Sequence, residues 1–175
     1  MSKILAVVYS YTGTSRRAAQ LLVAQQQWAL AEVRDARPRG GIAGTSRCLL
    51  DSLFRRRPEI RYDGPNPNEF DAVVLISPIW AQRLAGPMRS FVATHRASLR
   101  DVAVISVMGG SGAPNAVAEV TRLVGRPPLI NAAFTSREVE DGSCAGRLQA
   151  FGRAVQEARD TPLVVRPPTW SPRAA

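Results

Sequence analysis

Four hydroxyl side chains, those of Ser10, Thr12, Thr14 and Ser15, surround one glycine, Gly13, in six consecutive residues that also include Tyr11. Hydroxyls give short hydrogen bonds to phosphate oxygens. A glycine at such a turn lets free backbone N–H groups converge, and where a helix begins there its macrodipole favours an anion. The chemistry expected of this segment is phosphate binding. It matches neither the G-x-G-x-x-G of a dinucleotide pyrophosphate site nor G-x-x-x-x-G-K-[ST], so a terminal monophosphate fits it better. The other reading of the same residues is an ordinary Ser/Thr helix cap beside a turn glycine.

Two further segments complement the first. Pro78-Ile79-Trp80-Ala81 carries a large flat ring, and Met108-Gly109-Gly110-Ser111-Gly112 carries almost no side chains. A planar ligand fits between segments of this kind, because tryptophan can stack on it while glycines let backbone N–H groups approach its polar edge. Trp80 could equally serve as a core or interface residue. The single histidine, His95, is spaced with Met88, Phe91 and Val92 at i, i+3, i+4, i+7. That spacing puts it on the apolar stripe of a helix, where a satisfied, partly buried histidine is expected rather than a catalytic acid or base. The two cysteines, Cys48 and Cys144, are far apart and form no CxxC or Cys/His cluster. They read as free thiols, with neither a disulfide framework nor a zinc site.

The elements that must position these residues follow from hydrophobic periodicity. Ile4 to Tyr9 is a continuous β-favouring run, and Ala18, Leu21 and Leu22 then recur at helical spacing. A second strand fits Ala29 to Arg34. Arg37-Pro38-Arg39-Gly40-Gly41 breaks the pattern, and a helix fits Thr45 to Arg56. After a proline-punctuated connection from Pro58 to Pro67, Asp71 to Ile76 is apolar on both faces and reads as a buried parallel strand. Pro87 opens the helix that carries His95. A buried strand, Val102 to Val107, precedes a helix marked by Val117, Val120, Leu123 and Val124. A last strand fits Leu129 to Phe134, and Leu148, Phe151, Val155 and Ala158 define a final helix. Strands alternating with helices imply right-handed crossovers and a parallel sheet covered on both faces. In such a sheet ligands bind at the carboxyl ends of the strands, which selects the loops Ser10 to Ser15, Ser77 to Arg83 and Met108 to Ala113.

These residues carry a family resemblance. Ser10-Tyr11-Thr12-Gly13-Thr14-Ser15 resembles the [ST]-x-T-G-x-[ST] phosphate motif of the flavodoxin family, and Ser77-Pro78-Ile79-Trp80-Ala81 resembles its second flavin-contacting loop. With Gly109 to Gly112, the similarity runs from Lys3 to about Arg159. The resemblance implies a three-layer α/β/α flavodoxin-like fold whose five-stranded parallel sheet has the order 2-1-3-4-5, with FMN at the switch between the first and third strands. It implies that Ser10, Thr12, Gly13, Thr14 and Ser15 hold the FMN phosphate, with Tyr11 of the same motif also binding the cofactor. Pro78, Ile79 and Trp80 would line the isoalloxazine, and Gly109, Gly110, Ser111 and Gly112 would meet its pyrimidine side, with Ala81 and Met108 also among the cofactor-binding residues. The third segment has no aromatic residue to cover the outer ring face, and an open face suits a substrate. Arg83, three residues after Trp80, is the candidate for stabilising reduced flavin and raising its potential.

Composition sets the boundaries. The 175 residues suit one domain, expected over 1–160, followed by a Pro-rich tail over 161–175 that is expected to be extended or disordered. Apolar residues are 45% and charged residues 21%, the balance of a globular chain. Apolar runs are too short for a membrane span or a signal-peptide core, so a cytoplasmic location is expected. Lys and Arg total 23 against 14 Asp and Glu, a net charge of +9. Classical electron-carrier flavodoxins are strongly acidic, so this charge implies an acidic partner or a role other than shuttling. Nucleic acid is not the expected partner, because outside the Arg55-Arg56-Arg57 run the arginines are scattered and aromatics are only 6%. The function expected is FMN binding in electron transfer, or in a small FMN-dependent oxidoreductase serving a redox partner protein or a small-molecule acceptor. The alternatives are an NAD(P)H-dependent quinone-type reductase and a non-redox binding module with an empty flavin pocket. A hydrolase using the same loop would need a cysteine nucleophile or carboxylate pair that these loops lack.

Overall fold

A computed structural model of the protein describes residues 2–36 and 41–160. In chain order the first half comprises β1 (Ile4–Tyr9), α1 (Thr14–Gln26), β2 (Ala29–Asp35), α2 (Gly41–Leu53), β3 (Ile60–Tyr62) and β4 (Ala72–Trp80). The second half comprises β5 (Arg83–Leu84), α3 (Gly86–His95), β6 (Asp101–Met108), α4 (Ala113–Val124), β7 (Asn131–Thr135), α5 (Ser136–Asp141) and α6 (Ala145–Asp160). The predicted loop over Arg37 to Gly40, the tail from Thr161 and the side chain of Cys48 lie outside the described residues.

All six residues of β1 are buried because each face of the strand meets a helical layer. Side chains alternate across a strand. Ile4, Ala6 and Val8 therefore join Ala18 and Leu22 of α1 with Leu148, Phe151 and Val155 of α6. Leu5, Val7 and Tyr9 join Met88, Phe91 and Val92 of α3 with Ala116 and Val120 of α4. The continuous apolar runs of β1, β4 and β6 have the same cause, since all three are central strands.

The strands run in the order β3-β2-β1-β4-β6-β7, with β5 paired to β4. The sequence predicts five strands; among the described residues the sheet has seven, so its full order differs from 2-1-3-4-5. The two additions, β3 on β2 and β5 on β4, are antiparallel. Every other pairing is parallel, and those five strands keep the predicted spatial arrangement. The Pro58 to Pro67 connection thus contains an edge strand, followed by a single 3-10 turn at Pro67–Glu69. The helix expected over Thr45 to Arg56 lies earlier, at Gly41–Leu53. No helix among the described residues is long and apolar enough to cross a membrane.

The largest departure concerns the predicted loop after Ile76. β4 continues to Trp80, with Ser77 and Pro78 still in register with Ser106 and Val107 of β6. The chain then reverses through Ala81 and Gln82, so that Ile79 pairs Leu84 and Trp80 pairs Arg83. Ala81 and Gln82 both have positive φ, 47° and 58°. Such a turn matches the twist of the strands that it joins, although asparagine and glycine adopt it more readily. Pro87 lies in the first turn of α3, as its fixed φ and missing N–H favour.

Candidate functional site

The carboxyl ends of β1, β4 and β6 bring the three sequence-selected segments to one cleft of about 100 Å³. Ser10, Tyr11, Thr12, Thr14 and Ser15 line it from the first segment, and Pro78, Ile79 and Trp80 from the second. Met108 and Gly109 line it from the third. Gly13, Ala81, Gly110, Ser111 and Gly112 are not part of the lining.

The first segment is shaped by Gly13, whose φ of 99° places it in the left-handed region at the N-cap of α1. Its N–H donates to Ser10 Oγ at 3.1 Å, which fixes the turn. Thr12 Oγ1 and Thr14 Oγ1 lie 3.4 Å apart. No side chain caps α1, so the N–H groups of its first turn keep their capacity to donate. Arg16, in the first turn of α1, is engaged elsewhere, since its Nε donates to Glu32 Oε1 at 3.0 Å. An anion here would be held by hydroxyls and main chain rather than by a guanidinium.

Trp80 is half-buried at the other side of the cleft. Its ring stands perpendicular to two tyrosines, with centroids 6.0 Å from Tyr9 and 5.8 Å from Tyr11. Edge-to-face pairs of this kind contribute about 0.5–1.5 kcal/mol each beyond area burial, which holds the indole in one orientation. Tyr9 is anchored in turn, because its hydroxyl donates to Asp35 Oδ2 at 2.8 Å.

Gly112 contributes by close approach. It is the N-cap of α4, with φ 108°. A Cβ there would lie 2.8 Å from Ile79 Cγ2, so only glycine lets the third segment close against the hairpin. Gly109 and Gly110 face open space, with nothing within 4 Å of an added Cβ.

Sequence reasoning missed Val107 and Ser136 in the lining. Ser136 opens α5, a helix too short to give a periodic signal. The pattern Thr135-x-x-Glu138 was its available marker. Thr135 N–H donates to Glu138 Oε2 at 2.7 Å, and Glu138 N–H donates to Thr135 Oγ1 at 3.2 Å. The Thr135 backbone bond is the main cause holding the Glu138 carboxyl below its usual range, with the Thr135 hydroxyl and Arg147 adding to it.

Two other sequence expectations are located elsewhere. His95 packs on Phe91, centroids 4.5 Å apart, with Nδ1 3.1 Å from Phe91 O. It is a packing residue at the end of α3 and does not line the cleft. Arg83 does not line the cleft either; it sits beyond the turn in a separate hollow with Arg55 and Arg122. Cys144 is buried, and burial pushes its thiol pKa up. Among the described residues no cluster of three or more His, Cys, Asp or Glu side chains could hold a metal ion.

A flavoprotein from Lactobacillus acidophilus, solved in complex with FMN, superposes on the chain with a TM-score of 0.67 at 23% identity, over 82% of this chain and 99% of that one. The chain has the flavodoxin-like fold. Its similarity extends to a flavodoxin, WrbA-like protein from Agrobacterium tumefaciens, at 13% identity and TM-score 0.57 over 91% of this chain and 98% of that one. Oxidised flavodoxin 2 from Bacillus cereus gives 18% identity and TM-score 0.54, covering 89% of this chain and 99% of that one. No family model and no curated protein matches the sequence. Within the flavodoxin-like fold the cleft occupies the point where strand order reverses, between β1 and β4. That is where open α/β sheets bind ligands, and flavodoxin is a standing example of the rule.

Proposed function

We propose that the cleft binds FMN and that the chain is a flavin-dependent oxidoreductase serving a small-molecule electron acceptor. The convergence of hydroxyl-rich turn, oriented tryptophan and glycine segment in one cleft is the observation that carries this reading. The FMN complex of the similar Lactobacillus acidophilus protein supports it.

The residues present fit the group. The hollow itself is phosphate-sized, and its lining at one end is Ser10, Thr12, Thr14 and Ser15 beside the uncapped start of α1. A phosphate there receives hydroxyl and N–H donors together with the favourable end of the helix dipole. Trp80 would offer the ring system an apolar surface held by Tyr9 and Tyr11. FMN, when bound, supplies the electron and hydride chemistry. Pro78, Ile79 and Trp80, which line the cleft, would exclude water from one side of the ring and hold its orientation. Gly109 and Gly110 are exposed, which leaves access for an acceptor. This openness favours a small molecule over a purely protein-to-protein carrier role.

The test is titration of the purified protein with FMN, FAD and riboflavin while flavin fluorescence is followed. FMN-selective, saturable binding is the expected result. A folded protein that binds none of the three overturns the reading and leaves a non-redox binding module. Turnover of a quinone with NAD(P)H and no added protein separates the reductase from a carrier that needs a redox partner protein.

A further inference from the structure

A second hollow, of about 240 Å³, lies beyond the Ala81–Gln82 turn, lined by that turn, the start of the chain after α2 and one face of α4. Three arginines converge on it: Arg55, Arg83 and Arg122. Among the described residues none of the three has an ion-pair partner. One carboxylate also lines the hollow, that of Glu119, and it is already paired with the buried Arg89. The hollow therefore presents three like charges with no free acid to balance them.

This gathering is imposed by the fold. Arg89 is only 2% exposed and binds each segment that supplies an arginine. Its Nη1 donates to Asp51 O at 2.9 Å and Arg56 O at 2.8 Å, on either side of Arg55 in the chain. Its Nη2 donates to Leu84 O at 2.9 Å, the neighbour of Arg83. Its ion pair with Glu119 fixes the α4 turn that carries Arg122. A buried guanidinium with several satisfied donors holds its partners in defined geometry. Four described non-glycine residues have positive φ, and three of them, Arg55, Ala81 and Gln82, line this hollow. Left-handed backbone is unfavourable in such residues and persists where surrounding structure enforces it.

Repulsion among three guanidinium groups at one concavity is relieved by a polyanion, and arginine forks match phosphate oxygens bidentately. We propose that this hollow binds the phosphate groups of a soluble phosphorylated small molecule through Arg55, Arg83 and Arg122. Its volume exceeds what one phosphate fills and suits a pyrophosphate-sized group. The site stands independently of FMN binding in the cleft.

The test is calorimetric titration of the full-length protein with inorganic pyrophosphate and, separately, with ADP, in the presence of saturating FMN. Because the cleft could itself accept an anion, the Thr12→Val/Thr14→Val double variant is titrated in parallel. One-to-one binding that weakens at least tenfold in Arg83→Gln and in Arg122→Gln is expected, and it should persist in the double variant. Arg153→Gln, an exposed residue of α6 outside both hollows, should bind as the parent does. All five positions are exposed or half-buried, and circular dichroism confirms that the variants fold. Tighter binding of ADP than of pyrophosphate assigns the ligand to nucleotides, and equal binding confines recognition to the phosphates. Unchanged affinity in both arginine variants, loss confined to the Thr12/Thr14 variant, or no saturable binding at millimolar pyrophosphate overturns the proposal. Failure of FMN to bind leaves this test intact, because the double variant then serves alone to report on the cleft.

Discussion

Gly112 meets Gln82 backbone to backbone: a Cβ on Gly112 would stand 2.5 Å from Gln82 Cα. This contact locks the start of α4 onto the turn between β4 and β5, and so couples the third segment of the cleft to the second. Gly112→Ala must move the hairpin and also adopt φ 108°, a left-handed conformation that side chains resist. Together these effects are expected to cost about 2–3 kcal/mol of stability. Gly109→Ala meets nothing within 4 Å and is expected to leave stability unchanged. Urea unfolding of the two variants checks the contrast. Equal midpoints would show that the hairpin yields freely.

The first segment permits a sharper test, because FMN and riboflavin differ by the phosphate. Thr12→Val and Thr14→Val preserve side-chain shape and remove the hydroxyls. Hydrogen bonds to a charged group are worth about 1.5–3 kcal/mol. The double variant is therefore expected to bind FMN at least about tenfold more weakly, with riboflavin affinity unchanged. Fluorescence titration of both ligands reads the difference. Equal losses would place the phosphate elsewhere.

Much of this cleft was legible in the sequence, and particular residues show why. β1 has the predicted bounds, Ile4–Tyr9, because a strand buried on both faces is written as an unbroken apolar run. β3 and β5 contain three and two residues, too few to express alternation, and β3 sits among prolines. Ser77 and Pro78 read as a loop because proline seldom occupies a central strand, yet β4 extends past its core pairing to build the hairpin. The arginine hollow had no local signature. Arg55, Arg83 and Arg122 come from three separate segments, and only the tertiary contacts of Arg89 unite them.

Tyr62 gives the protein an alkaline signature. Burial raises its phenol from the ordinary 10.0 to about 12. Its hydroxyl donates to Pro65 O at 2.7 Å, a bond that only the protonated form makes. Between pH 10 and 12 the unfolded chain loses this proton while the folded chain keeps it. The unfolded state then binds fewer protons, so stability falls as pH rises through that window. Tyrosinate absorbance of the folded protein should show a phase near pH 12 that Tyr62→Phe removes, and the variant should keep its ring contact with Phe91. A Tyr62 titration near 10 would contradict this assignment.

The Arg89–Glu119 pair supports the arginine hollow from inside, and its two members are not equivalent. Glu119 makes one buried ion pair, whereas Arg89 also serves the carbonyls of Asp51, Ser52, Arg56 and Leu84. Removing one partner of a buried pair typically costs about 3–5 kcal/mol, because the other charge stays buried without compensation. Arg89→Met leaves the Glu119 carboxylate unpaired and also four carbonyls, those of Asp51, Ser52, Arg56 and Leu84, without their donor. Glu119→Gln keeps an acceptor for Arg89 and preserves its carbonyl bonds. The expected order of stability is therefore wild type, then Glu119→Gln, then Arg89→Met, with the last losing at least the full cost of a broken pair. The double variant Arg89→Met/Glu119→Gln relieves the stranded charge yet still lacks the donor for Asp51, Ser52, Arg56 and Leu84. It should recover only part of the loss, placing it between the two single variants in urea unfolding. A double variant as stable as the wild type would show that the carbonyl bonds contribute nothing, and that Arg89 is held by Glu119 alone.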